Sequence, residues 1–136
     1  MVTLVPYEHS HLDGVIDLCR AEGWPSFPED PERAHRALTA PGVITVVALD
    51  GDRVVGFAQM QSDGEVQAHL STIAVDRSMR GTGLGRELIA RAFERAGGIR
   101  VDLITDSAEE FYSSLPNRRM LGFRIYPQYT GEEDAG

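Results

Sequence analysis

The sequence predicts a mixed α/β domain, a central and largely antiparallel sheet flanked by helices, in the order β-α-α-β-β-β-α-β-α-β. Three observations carry this. Two β-branched runs, residues 43–49 and 53–61, meet at Asp50-Gly51, a strong hairpin signal. A second turn at Asp63-Gly64 leads into a third run, 65–75, which makes an antiparallel meander. Leu84, Leu88, Ile89, Ala92 and Phe93 then recur with a 3.6-residue period, the mark of an amphipathic helix.

The remaining elements follow in chain order. Residues 3–5 read as a short first strand. Ser10 and Asp13 form a capping-box-like helix start, and Leu12, Val15, Ile16 and Cys19 continue the helix to about Ala21. Cys19 falls on that apolar stripe and reads as a buried packing residue. Residues 23–28 hold one glycine and two prolines and read as a loop, whose Trp24 and Phe27 either cover the core or line a pocket. Asp30 and Pro31 are an N-cap and first-turn pair for a second helix buried through Ala34, Ala37 and Leu38. The helix from Leu84 should stop at Gly97-Gly98. Residues 101–104 read as a strand, 108–115 as a short helix ended by Pro116, and 123–126 as a last strand. One domain is expected over residues 1–130, with a flexible acidic tail over 131–136.

Composition sets the outer bounds. A chain of 136 residues, 42% hydrophobic and 25% charged, suits one soluble globular core. The net charge of −8 argues against general nucleic-acid binding, which needs clustered cations. There is no lysine; every fixed positive side chain is an arginine. No apolar run approaches about 18 residues, so no membrane span is expected. The first residues lack the order of a signal peptide, which makes the cytoplasm the expected location. The single cysteine excludes an intrachain disulfide. No His, Cys, Asp or Glu cluster has metal-site spacing, so no metal is expected.

The chemistry concentrates at Arg80-Gly81-Thr82-Gly83-Leu84-Gly85, between an apolar strand and an amphipathic helix. Glycines there present bare backbone N–H groups at a helix N-terminus, where phosphate binds. A P-loop is excluded, because it requires Gly-Lys-Ser/Thr. A dinucleotide fingerprint fails too: counted from Gly81 the third glycine would be Arg86, and counted from Gly83 it would be Leu88. What remains is Arg-x-x-Gly-x-Gly.

That motif, with Ile73-Ala74-Val75 before it, resembles the acetyl-CoA-binding core of the GNAT superfamily of N-acetyltransferases. Phe111-Tyr112 with Leu121-Gly122-Phe123 is similar to the family's Phe-Tyr-x-x-Leu-Gly-Phe segment, except that residues 113–120 intervene here. The order of elements also agrees, so the resemblance spans nearly the whole chain, although only about 20 residues carry it strongly. It implies the GNAT fold and acetyl-CoA as cosubstrate. The N–H groups of Gly81, Gly83, Gly85 and Arg86 would cradle the pyrophosphate, within a cofactor-binding set of Ile73, Ala74, Val75, Arg80, Gly81, Thr82, Gly83, Leu84, Gly85 and Arg86. Backbone groups of Ile73 and Val75 would pair with the pantetheine arm, and an N–H near Ile73 would polarise the thioester carbonyl.

The same resemblance makes Tyr112 the general acid for the departing thiolate. The base is left between His69 and Glu65, four apart and on one face if the strand is regular. It places Trp24 and Phe27, with Tyr126 or Tyr129, beside the acceptor, and Glu22, Glu29 and Asp30 where they would attract a cationic amine. The implied activity is acetyl transfer to a primary amine of a small molecule or peptide by direct attack on the thioester. A non-catalytic acyl-CoA-binding regulatory module is the alternative. Little chain follows Tyr126 for the family's second C-terminal strand, so that sheet edge is expected to be open or completed by a partner subunit, as in a homodimer.

Overall fold

The computed structural model describes residues 1–127, which fall into two compact units, Met1–Asp102 and a second beginning at Leu103. The first contains a five-stranded sheet in the order β1-β2-β3-β4-β5. Its strands are β1 (Val2–Pro6), β2 (Val43–Asp50), β3 (Arg53–Ser62), β4 (Gln67–Val75) and β5 (Arg100–Asp102). The first four pair antiparallel, β2–β3 and β3–β4 through short turns and β1–β2 across the helical segment 7–42, and β5 pairs parallel to β4. A parallel neighbour needs a crossover. Helix α4 (Leu84–Ala96) supplies it and ends at Gly97, whose φ is +76°.

Both faces of the sheet are covered, which explains the continuous apolar runs in its central strands. Val47, Phe57 and Ala74 meet α1 (Leu12–Ala21) and α3 (Pro31–Leu38) in one buried cluster with Val15, Ile16 and Leu38. On the other face α4 approaches closely at Gly56. A Cβ there would lie 3.1 Å from Leu88 Cδ1 and 3.2 Å from the Ala74 carbonyl oxygen. Gly14 serves α1 in the same way, since its Cβ would lie 2.5 Å from Val54 Cγ2.

Several local expectations are corrected. Helix α1 does not start on a Ser10 cap. A 3-10 turn at His9–His11 precedes it, closed by the Glu8 N–H donating to His11 Nδ1 at 3.0 Å and the His11 N–H donating to the Glu8 carbonyl at 2.9 Å. The imidazole reaches back as a capping-box Glu would. Part of the expected 23–28 loop is a four-residue helix, α2 (Ser26–Glu29). Pro28 is tolerated there because first-turn N–H groups have no helical acceptor anyway. Strand β4 begins at Gln67, not at residue 65. Asp63 Oδ1 accepts the N–H groups of Glu65 and Val66, both at 2.8 Å, and holds residues 63–66 as a turn. Asp30, as expected, accepts the Arg33 N–H at 3.1 Å and starts α3.

In the second unit α5 (Glu109–Ser113) is shorter than the expected 108–115. The expected strand at 123–126 is absent among the described residues, and Leu121 (91% exposed), Phe123 and Ile125 stand open. A strand needs a neighbour to satisfy its N–H and C=O groups, and this unit holds no other strand among its described residues. The acidic tail at 131–136 and Tyr129 lie outside the described residues. No helix among the described residues is long and apolar enough to cross a membrane.

Candidate functional site

The glycine-rich loop is built from both of its ends. At the β4 end, Asp76 caps a 3-10 turn (Arg77–Met79) by accepting the Ser78 N–H at 2.9 Å and the Ser78 hydroxyl at 2.6 Å. Its other oxygen takes Arg53 Nη2 at 2.8 Å. These bonds, those from Ser78 foremost, hold its carboxyl below the usual carboxylate range. The Asp76 N–H donates to the Val55 carbonyl at 2.8 Å and so fastens the turn to β3. The Thr82 hydroxyl donates to the Met79 carbonyl at 2.6 Å, which commits it to loop structure.

At the helix end, Gly81 (φ +78°) and Gly83 (φ +86°) take left-handed conformations, and Gly83 is the N-cap of α4. A Cβ at either position would meet nothing within 4 Å. Both glycines therefore serve backbone conformation, and the loop's outer side is bare. Leu84 is buried at 4% exposure and anchors the first turn. Helical geometry leaves the N–H groups of Leu84 and Gly85 without an intrahelical acceptor at the positive end of the helix dipole. Arg86 occupies the same turn. This cradle fits a phosphate group.

Next to the loop, β4 pairs with β3 as far as Val75 but with β5 only over Gln67, Ala68 and His69. From Leu70 to Val75 no described strand pairs with its other edge, the stretch that contains Ile73, Ala74 and Val75. The β3–β4 register shifts between Gln59 and Met60, so Ser71 is an extra residue in β4. This bulge sets a polar row on the α3 side: Thr72 Oγ1 donates to Gln59 Oε1 at 3.1 Å and Gln61 Nε2 donates to Ser71 Oγ at 2.9 Å. Sequence reading missed this row, although Gln59 inside an apolar run was its available signal.

The candidate acid–base residues belong to three different local structures. His69 is exposed on β4, opposite Gln61 and in register with Asp102. Glu65 lies in the preceding turn, so the two do not share one face of a regular strand. Tyr112 belongs to α5 in the second unit, edge-on to Phe111 at 5.0 Å. Burial pushes its hydroxyl pKa up. Arg119 pairs with Glu109 in the same unit.

Around α1 and α2, Phe27 packs against the α1–α3 core, while Trp24 is 40% exposed. Helix α1 closes in a Schellman motif. Gly23 has φ +78°, its N–H donates to Arg20 C=O at 3.1 Å, and the Trp24 N–H donates to Cys19 C=O at 3.0 Å. Cys19 is buried, and its thiol is pushed up to about 11 by burial first and by Glu22 second. Glu22 itself is ion-paired with Arg80 of the glycine-rich loop. Among the described residues no group of three His, Cys, Asp or Glu side chains is arranged to hold a metal ion.

A model of the acetyltransferase (GNAT) family matches residues 12–116, from the start of α1 to beyond α5. The chain belongs to the GNAT acetyltransferase family. Among solved structures, this GNAT chain is similar to a GNAT family acetyltransferase from Streptococcus pneumoniae, with a TM-score of 0.75, 26% identity, and coverage of 95% of this chain and 100% of that one. An aminoglycoside N-acetyltransferase solved with CoA has the same fold, with a TM-score of 0.72, 19% identity, and coverage of 92% and 95%. In sequence the chain is similar to mycothiol acetyltransferases of Rhodococcus. The Rhodococcus erythropolis protein is 39% identical over 88 residues, or 62% of this chain and 29% of that protein. The Rhodococcus jostii protein is 32% identical over 77 residues, or 57% and 25%. The chain thus spans between a quarter and a third of the length of the curated relatives it matches.

Proposed function

We propose that this chain transfers the acetyl group of acetyl-CoA to a primary amine on a small molecule or peptide. The observation that carries the reading is the left-handed Gly83 cap at the start of α4, set directly beyond a β4 edge that no described strand pairs from Leu70 to Val75. The loop N–H groups and Arg80 and Arg86 bind the pyrophosphate. The open edge, at Ile73 and Val75, takes the pantetheine amides as an added strand would be taken.

In the reaction the amine nitrogen, freed of one proton, attacks the thioester carbonyl carbon. The C–N bond forms, the C–S bond breaks, and the sulfur leaves as a thiolate that takes the Tyr112 hydroxyl proton. His69 or Glu65, directly or through water, receives the amine proton. Trp24 and Phe27 border the acceptor. One domain over residues 1–130 and a cytoplasmic location complete the reading.

Two measurements test it. Calorimetry with CoA reports binding to the loop. Release of free thiol from acetyl-CoA across a panel of primary amines reports transfer. Tight CoA binding with no turnover on any amine would support a regulatory acyl-CoA-binding module, and no CoA binding would overturn the assignment of the loop.

A further inference from the structure

This inference rests on the acetyl-CoA reading and concerns how that site is organised. Glu22 closes the C-terminus of α1, and its carboxylate is paired with Nη2 of Arg80, 58 residues later, on the glycine-rich loop. The next two residues, Gly23 and Trp24, complete the Schellman closure of α1 and lead into α2, which carries Phe27. One carboxylate therefore ties the phosphate loop to the segment that bears both candidate acceptor residues.

The pair is built to exchange. The Arg80 and Glu22 side chains are 51% and 28% exposed, and exposed ion pairs are weak and open to competition. A pyrophosphate offers an arginine several charged acceptor oxygens at once. Arg80 has a second fastening, Nε donating to the Val75 carbonyl at 3.4 Å, which keeps its stem at the loop while Nη2 changes partner.

We propose that Glu22 is a positioning residue: it holds Arg80 in the ligand-free loop, yields it to the CoA pyrophosphate, and so transmits CoA binding to the segment carrying Trp24 and Phe27. The released carboxylate then stands unpaired at the head of that segment, where it favours a cationic acceptor after CoA has bound.

Trp24 is the chain's single tryptophan, so its emission reports this segment alone. CoA would be titrated into the wild type, Glu22→Gln, Arg80→Gln and the double variant, by calorimetry and by Trp24 fluorescence in parallel. In the wild type, emission should change with the same midpoint as the calorimetric Kd. Glu22→Gln removes the competitor for Arg80, so CoA should bind about two- to fivefold tighter, with the emission change lost. Arg80→Gln should weaken CoA binding, and Glu22→Gln should add nothing in that background. Unchanged or weaker CoA affinity in a folded Glu22→Gln protein, or a full Trp24 response in it, overturns the proposal. Should Glu22→Gln fail to fold, Arg80→Gln at saturating CoA decides the matter, because a retained Trp24 response there also overturns it. Absence of calorimetric CoA binding to the wild type would instead overturn the acetyl-CoA reading, and the proposal with it.

Discussion

Replacing Gly83 by alanine perturbs one backbone dihedral and nothing else nearby. Gly83 sits at φ +86° and ψ 4°, and an added Cβ would meet no atom within 4 Å. The cost is therefore conformational. A left-handed L-residue costs ~1–2 kcal/mol. Alanine also restricts the unfolded chain, which offsets about 0.4–1 kcal/mol of that. The net destabilisation is about 1 kcal/mol, which lowers the melting temperature of a chain this size by ~3–5 °C. If the loop relaxes instead to a negative φ, the first-turn N–H groups leave the cradle. The loss then appears in CoA affinity, at about fivefold for each 1 kcal/mol. Asparagine tolerates the left-handed region better, so Gly83→Asn should recover much of whichever loss is seen. Differential scanning fluorimetry and CoA calorimetry on the wild type and both variants test this. Gly83→Ala matching the wild type in both assays would refute the argument. Equal defects in the Ala and Asn variants would assign the effect to side-chain bulk in the cradle and refute the role of φ.

Gly56→Val would push against Leu88 and the Ala74 carbonyl and should destabilise by ~1–3 kcal/mol, read by urea denaturation with an unchanged m-value. Tyr112→Phe should lower kcat for acetyl transfer by about 10²-fold while CoA affinity by calorimetry stays within twofold, if Tyr112 is the acid. The Asp63 and Asp76 carboxyls lie below their unfolded values, Asp63 chiefly through the Val66 N–H and Asp76 through Ser78. Their stabilisation is present above the ordinary carboxylate range and is lost as pH falls through the folded values, so Asp76→Asn should flatten the acid limb of a stability–pH curve. For Cys19 the sign is opposite. Its thiol is raised from 9.0 to about 11, so its contribution is complete below pH 9.0 and is lost as pH rises toward 11. Iodoacetamide at pH 8 should accordingly modify Cys19 far faster in urea than in the native protein.

The readings that held rest on neighbours in sequence. Asp50-Gly51 makes its hairpin because the turn needs positive φ at that glycine, and Gly51 has φ +64°. Asp30 and Pro31 start α3, Gly97 ends α4, and Gly81 and Gly83 shape the loop before α4 through local backbone sterics. The strand reading at 123–126 failed for want of a partner, and others failed on local side-chain contacts that competed with the expected element. Residues 123–126 alternate like a strand yet have no neighbouring strand in their own unit among the described residues. Glu65 and His69 have strand spacing, but three N–H groups held by Asp63 turn the chain before β4 begins.

Adjacent residues alone encode the order of elements up to β5, apart from the short α2 and the 3-10 turns, together with the apolar faces of α1 and α4 and the left-handed glycines before α4, because each follows from local chemistry. Packing between distant segments decides that Glu22 holds Arg80, that Ser71 bulges from β4, and that α1 and α4 approach the sheet closely at Gly14 and Gly56. Each depends on which faces meet when distant segments pack, and no spacing within one segment encodes that meeting.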